Sequence, residues 1–253
     1  FKAVSKFGTE TFRGSETDVL NRMVEAAHQS NADVIIRITG DCPLIDPLVV
    51  DTVIEKFLKS DADYVSNSTP PTFPDGLDTE VFSFNALKRA NEEATDKYDR
   101  EHVTPYLRKG NFKVENLTWP IDFSNLRWSV DEIQDLLVVR KVFEHFSPDI
   151  YFSWTKVIEL MAKKPEIFED NKNIKRNEGS VISTGQKLWR RAKKIIPGGN
   201  MLLSKRAEMH LPDGWPSYFS KTSGCTVWDL DGNKYTDLYL MGVGTNILGY
   251  SHP

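Results

Sequence analysis

The stretch from Arg37 to Pro47, read Arg-Ile-Thr-Gly-Asp-Cys-Pro-Leu-Ile-Asp-Pro, constrains this chain more than any other. Just before it, Asp33-Val34-Ile35-Ile36 is a short β-branched run of the kind that makes a buried strand. Gly40 ends that strand, and Pro43 and Pro47 prevent an immediate helix. Asp41 is therefore expected at the carboxyl end of a strand, the edge where open α/β sheets bind their ligands. A carboxylate there either caps the turn or holds Mg²⁺ against phosphate oxygens, because a hard cation prefers oxygen donors and keeps positions open for substrate. Asp46 reads differently. With Pro47 at N1 it fits the N-cap of a helix over Leu48 to Leu58.

The surrounding pattern repeats strand and helix. Ser15 and Asp18 read as a capping box with Asp in place of the usual Glu or Gln, opening a helix Val19 to Gln29. The strand at Val34, the helix after Pro47 and a strand Asp63 to Ser66 follow. This β-α-β-α order predicts an α/β domain, a mainly parallel, Rossmann-like sheet with helices on both faces. Thr69 to Gly76, rich in proline, is a loop. Beyond it come a strand Glu80 to Ser83, a helix Ala86 to Glu93 and a short helix Glu101 to Leu107. Strands are expected at Phe112 to Trp119 and Leu126 to Val130. Asp131 then caps a helix Glu132 to Phe146 with an apolar face of Ile133, Leu136, Leu137, Val139 and Phe143. Trp154 to Met161 is a last short helix.

From Phe168 to Gln186 polar residues and glycine take over, which marks a boundary between units 1–180 and 181–253. The second unit offers a basic amphipathic helix Gln186 to Ile196, the turn Pro197-Gly198-Gly199, and two strands within Cys225 to Leu240 joined at Asp231-Gly232. It is too short to bury a core by itself.

Composition excludes several classes. A net charge of −4 gives no basic face for nucleic acid. Two cysteines, Cys42 and Cys225, make neither a disulfide framework nor a zinc site, and a cytoplasmic location is the simplest expectation. No apolar run reaches membrane-spanning length and no signal peptide opens the chain, so no membrane partner is expected. The chain opens on Phe1 without methionine or helix cap, so an upstream piece is expected.

Asp131 stands next to Asp41 as a candidate. It too is expected at a strand's carboxyl end, either as a plain N-cap or as a second acid converging on the same metal, the arrangement that serves transfer of a nucleotidyl phosphate. Arg13-Gly14-Ser15 lies at a loop-to-helix junction, where backbone amides favour anions. Arg100 and His102 suit a sugar acid, the arginine pairing with its carboxylate, or simply form an exposed charged helix start. Asp75, Asp78 and Glu80 flank the proline loop, bound to sugar hydroxyls or solvated. Cys42 lacks a local base and reads as small packing.

In order along residues 1 to 180, several blocks resemble the spore-coat-polysaccharide-type cytidylyltransferases. They are Phe12 to Arg22, Arg37 to Pro47, Tyr64 to Asn67, Pro74 to Asp78, Arg100 to Tyr106 and Arg127 to Glu132. These proteins are similar to the CMP-sugar-acid synthetases, which join CTP to an acidic sugar and release pyrophosphate. The resemblance implies that Asp41 and Asp131 are Mg²⁺ ligands. It also implies that the family's first strand and phosphate loop belong upstream of Phe1. Residues 186–253 resemble the start of class-III, pyridoxal-phosphate-dependent aminotransferases, close to glutamate-1-semialdehyde aminomutases. That resemblance rests on Leu188 to Ala192, Ile196 to Gly199, Gly224 to Asp237 and Leu248 to Pro253. It implies pyridoxal 5'-phosphate, an amino donor and a homodimer, with the cofactor lysine beyond Pro253. Ser204, Lys205 and Arg206 follow the glycine turn, where relatives contact a substrate carboxylate. Gly242, Gly244 and Gly249 permit close backbone approach, and Asp229 and Asp231 read as hairpin residues. The expectation is thus a bifunctional enzyme of surface-glycan or nucleotide-sugar synthesis, present as an inactive fragment. A glycosyltransferase on a similar fold and a non-catalytic coat-associated module are the alternatives.

Overall fold

The computed structural model describes residues 4, 6–174, 183–200, 206–211 and 214–238. The chain divides into two compact units, Phe1–Arg176 and Asn177–Pro253.

In the first unit, helix α1 (Val19–Gln29) leads into strand β1 (Val34–Arg37), helix α2 (Pro47–Lys59) and strand β2 (Tyr64–Ser66). Strand β3 (Glu80–Ser83), helix α3 (Phe84–Glu93), the short helices α4 (Lys97–His102) and α5 (Pro105–Lys109), and strand β4 (Val114–Asn116) follow. Helices α6 (Ile133–Phe146) and α7 (Trp154–Lys163) complete it.

The strand order is β1-β3-β2-β4. Strand β3 lies antiparallel between β1 and β2, and β2 pairs in parallel with β4. The expected mainly parallel sheet is therefore corrected to a mixed one. No helix separates β2 from β3, so the chain returns through the proline loop without the crossover that a parallel neighbour requires. Helices do cover both faces. On one, Tyr64 and Phe82 pack against Leu20, Leu87 and Leu107; on the other, Val65 and Val81 pack against Val53 and Phe57 of α2. A third core joins Phe73, Leu77 and Trp128 to Val138, Val142, Trp154 and Leu160.

Local chemistry explains the element ends. Asp46 accepts from the Leu48 amide at 2.8 Å, as an N-cap ahead of Pro47, and also from the Trp154 amide at 2.8 Å. Asp18, rather than Ser15, is the N-cap of α1; its side chain accepts from the Asn21 amide, and Ser15 Oγ accepts from the Asp18 amide. The helix expected over Glu101 to Leu107 is two helices, divided at Val103 with φ 71°. Pro105 has no N–H to donate and its ring clashes with the carbonyl four residues back, so the helix restarts there. Leu126 to Val130 is not a strand but an extended segment that makes one parallel bridge, Asp75 to Arg127. Helix α6 presents Val138, Val139 and Val142 to the core, whereas Ile133 and Leu137 are exposed.

In the second unit, helix α8 (Thr184–Ile195) precedes an antiparallel meander of β5 (Phe219–Ser223), β6 (Thr226–Asp229) and β7 (Lys234–Thr236). The expected hairpin is present at Asp231-Gly232, with Gly232 at φ 83°, and β5 adds a third strand. Trp189, Ala192, Ala207 and Val227 are its buried apolar residues among those described.

Candidate active site

The carboxyl ends of β1 and β2 and the start of β3 share one edge of the sheet, because Arg37 and Ser66 both pair with Glu80. From β1 the chain turns at Gly40 and Asp41. The Val130 amide donates to the Asp41 carbonyl at 2.8 Å, which lays the segment carrying Asp131 directly against the turn carrying Asp41. Two stretches far apart in sequence, each carrying an acid, thus run side by side. Asp78 lies near Asp41: the charges of both act on the thiol of Cys42. Burial is the main reason that this thiol is pushed up to about 12, and the two acids add to it while a Thr39 contact opposes. Cys42 is accordingly inert packing beneath the acids.

Asp131 is not the helix cap expected from the sequence. The cap is Glu132, and Asp135 accepts from the amides of both Asp131 and Glu132, at 3.1 and 3.0 Å. Relieved of capping, the Asp131 carboxylate is 43% exposed and takes Arg127 Nη2 at 2.6 Å. Arg127 also reaches Asp135 at 3.0 Å and Asp75 at 3.6 Å. Neither Asp135 nor Arg127 stood out as a site residue in sequence; an acid on a helix and an arginine before it are ordinary until the fold buries them together. Asp41 and Asp131 offer hard oxygen donors in a partly open setting, which suits one Mg²⁺ shared with phosphate oxygens.

The remaining candidates fall into different surroundings. Asp75, expected near sugar hydroxyls, is buried and turned to Arg127 and to Ser129 Oγ, which donates at 3.3 Å. It stitches the proline loop to the 126–130 segment through the Asp75 amide to Leu126 and the Trp128 amide to Asp75. Gly76 allows this contact. At φ 104° a Cβ would lie 2.7 Å from the Trp128 carbonyl carbon. Glu80 is not solvated either: it is buried, accepting from the Tyr64 hydroxyl at 2.5 Å and pairing with Arg37.

Arg13, Gly14 and Ser15 form an exposed coil ahead of α1. A Cβ on Gly14 would press on Arg22 Cγ at 2.8 Å, and Arg22 donates to the Ser15 carbonyl at 2.9 Å, so packing of Arg22 already explains the glycine. Arg100 has no N–H left for a substrate. Its Nε and Nη2 donate to Asp18, Nη2 also to Asn91 Oδ1, and Nη1 to the carbonyls of Asn91 and Ala94, all between 2.8 and 3.0 Å. A guanidinium has five donors, and all are taken. The expected pairing with a sugar carboxylate is corrected accordingly: Arg100 ties the end of α3 to the start of α1. His102 packs against Tyr98 with ring centroids 4.3 Å apart and the rings tilted by 47°. In the second unit, Arg206 lies against Gly198, where a Cβ would meet its Nη2. Its buried Nε has no hydrogen-bond partner. Ser204, Lys205, Gly242, Gly244 and Gly249 lie outside the described residues.

A model of the cytidylyltransferase family matches residues 3–188. The spore coat polysaccharide biosynthesis protein SpsF of Bacillus subtilis is 30% identical over 168 residues, 64% of this chain and 68% of that protein. The structure of a cytidylyltransferase from Leptospira borgpetersenii serovar Hardjo-bovis superposes with a TM-score of 0.64 at 32% identity, covering 66% of this chain and 71% of the other. The glutamate-1-semialdehyde 2,1-aminomutase of Acetivibrio thermocellus is 40% identical over 73 residues, 29% of this chain but only 16% of that enzyme. In sequence over most of its length and in the fold that carries the two acids, this chain belongs to the cytidylyltransferase family.

Proposed function

We propose that this protein transfers CMP from CTP to an acidic sugar, as a step in making activated precursors of a surface polysaccharide. The observation that supports the reading is the Val130 to Asp41 hydrogen bond, which lays the segments carrying Asp131 and Asp41 side by side inside a cytidylyltransferase fold. The similarity to SpsF supports the polysaccharide setting.

In this reaction an acceptor hydroxyl oxygen forms a bond to the α-phosphorus of CTP. The bond from that phosphorus to the bridging oxygen of the β-phosphate breaks, and pyrophosphate leaves while the hydroxyl proton passes to solvent. Asp41 and Asp131 would hold Mg²⁺, which when bound neutralises phosphate charge and orients the triphosphate. Arg127 fixes the Asp131 carboxylate by its 2.6 Å contact, and Asp135 holds Arg127 in turn. No metal-binding group of three or more acidic, His or Cys side chains occurs among the described residues; two carboxylates with phosphate oxygens and water meet the needs of Mg²⁺.

For the second unit, membership in a pyridoxal-phosphate-dependent aminotransferase rests on the 73-residue similarity to the aminomutase. The described residues of this unit form a helix and a three-stranded meander. A cytoplasmic setting follows from the proposed substrates, and no described helix is long and apolar enough to cross a membrane.

The test is Mg²⁺-dependent pyrophosphate release from CTP and sugar acids by the complete protein, with D41N and D131N. Each substitution should abolish turnover, and the double variant should be no worse than either single one, as for groups acting as a unit. Full activity in either single variant overturns the assignment.

A further inference from the structure

At the sheet edge beside the two acids, one polar residue from each strand falls in a single cross-strand row. Arg37 of β1 pairs with Glu80 of β3, Glu80 with Ser66 of β2, and Ser66 with Asn116 of β4. Directly opposed residues of neighbouring strands point to the same side, so the four side chains share one face. They share it with Tyr64 and Phe82, and hence with the side covered by α1, α3 and α5. The row is internally paired. Arg37 and Tyr64 both bind Glu80, and Ser66 donates to Asn116 Oδ1 at 3.1 Å. Its far end anchors the proline loop, since the Thr69 amide donates to Asn116 Oδ1 at 3.1 Å.

Over this row stands Arg108, the exposed fourth residue of α5. Its Nη1 donates to Thr69 Oγ1 at 3.2 Å, and among the described residues it has no carboxylate partner. Its charge reaches the Tyr64 hydroxyl below. The arginines around it are committed: Arg37 to Glu80, Arg100 through all five donors to four acceptor atoms, Arg127 to three aspartates. A guanidinium fixed at one corner and open at the others is suited to a planar carboxylate, which it meets with two parallel hydrogen bonds.

We infer that Arg108 reads the carboxylate of the acceptor sugar, above a floor made by the Arg37–Glu80–Ser66–Asn116 row and beside a wall made by the loop at Thr69. This inference rests on the cytidyl-transfer reading and names the specificity residue for it, in place of Arg100.

The experiment is pyrophosphate release by the complete protein on a panel of hexuronates and 2-keto-3-deoxy sugar acids, each beside its methyl ester. The wild-type protein should prefer the acid. R108A should lower kcat/KM for the acid by about 10- to 100-fold, the worth of a charge-assisted contact. It should leave the ester and the KM for CTP unchanged, and R108K should recover only part of the loss because an ammonium cannot present the fork. An equal loss on acid and ester, or a raised KM for CTP, overturns the inference while leaving cytidyl transfer intact. Turnover of no sugar acid by the wild type overturns the acceptor class itself, and this inference with it. Arg108 is exposed, so the variants are expected to fold; an unchanged urea midpoint verifies it.

Discussion

Arg127 donates to Asp135 through both Nε and Nη2 at 3.0 Å, with the Arg127 side chain 3% exposed and that of Asp135 fully buried. The carboxylate also receives Asn171 Nδ2 at 2.9 Å and the amides of Asp131 and Glu132. Burial by itself would raise the pKa of Asp135. The bonds from Arg127, Asn171 and the two amides outweigh it and hold the carboxyl below its ordinary 3.8. The same pair therefore fixes the entry into α6 and the position of Asp131.

D135N leaves a buried guanidinium without its main countercharge. The expected cost is about 3–5 kcal/mol in urea unfolding at pH 7. The pH dependence has a definite sign. A depressed folded pKa contributes stability above the unfolded value, and this is lost as pH falls through the folded one. The gap between wild type and D135N should thus be full above pH 4 and narrow as pH falls further below 3.8. A gap that stays constant into strong acid would remove Asp135 as its source.

Arg100 makes a contrasting case, since its donors end on α3 carbonyls and on Asp18, the cap of α1. Asp18 is drawn upward by partial burial but held below its ordinary value by Arg100 and the Asn21 amide. R100A should lower stability by about 1.5–3 kcal/mol. R100K should not restore it, because lysine cannot serve acceptors in two directions. Acceptor and CTP kinetics should shift together or not at all. A selective rise in the acceptor's KM at wild-type stability would return Arg100 to the substrate.

These two arginines show how far the sequence could be read. Asp46 with Pro47, the α1 periodicity and Asp231-Gly232 were legible because a cap, a helix and a tight turn are decided within a few residues. Glu80 to Ser83 could be recognised as a strand, but nothing local says that it inserts antiparallel between β1 and β2. Likewise Asp135 occupies an ordinary position on α6, and its burial depends on Arg127 and Asn171, 8 and 36 residues away in the chain. Asp41 and Asp131 are proposed from their motifs, whereas the hydrogen bond joining their segments belongs to the fold.

The two thiols should separate chemically. Cys42 is buried, with its pKa pushed up to about 12, and Cys225 is exposed. Iodoacetamide at pH 8 should modify Cys225 in the native protein and spare Cys42 until urea is added, since the thiolate is the reactive form. Peptide mass analysis reads this directly. Comparable native rates at both positions would mean that the turn beneath Asp41 opens freely.

In the second unit the hairpin turn is organised by Asp229, which is buried. It accepts from the Asp231 amide at 2.9 Å, the Asn233 amide at 2.8 Å, Asn233 Nδ2 at 2.9 Å and the Tyr235 hydroxyl at 3.0 Å. Desolvation would raise its pKa, but the Asn233 and Tyr235 contacts lead the opposing bonds and hold it below 3.8. Asp231, two residues on, faces outward and accepts from the Thr184 amide at 2.8 Å, satisfying a free donor at the start of α8. The two aspartates therefore differ in what their loss exposes. D229A strands several donors in a buried place, at about 1–3 kcal/mol for each one left unsatisfied. D231A removes two exposed contacts, from the Thr184 amide and the Thr184 hydroxyl, together worth about 0.5–2 kcal/mol as helix caps are. Hydrogen exchange at the amides of Asp231, Asn233 and Tyr235 should accelerate strongly in D229A and weakly in D231A, whose main effect should fall on the first turn of α8. The opposite order would mean that the turn is held by the Asp231-Gly232 backbone conformation alone and that Asp229 is incidental to it.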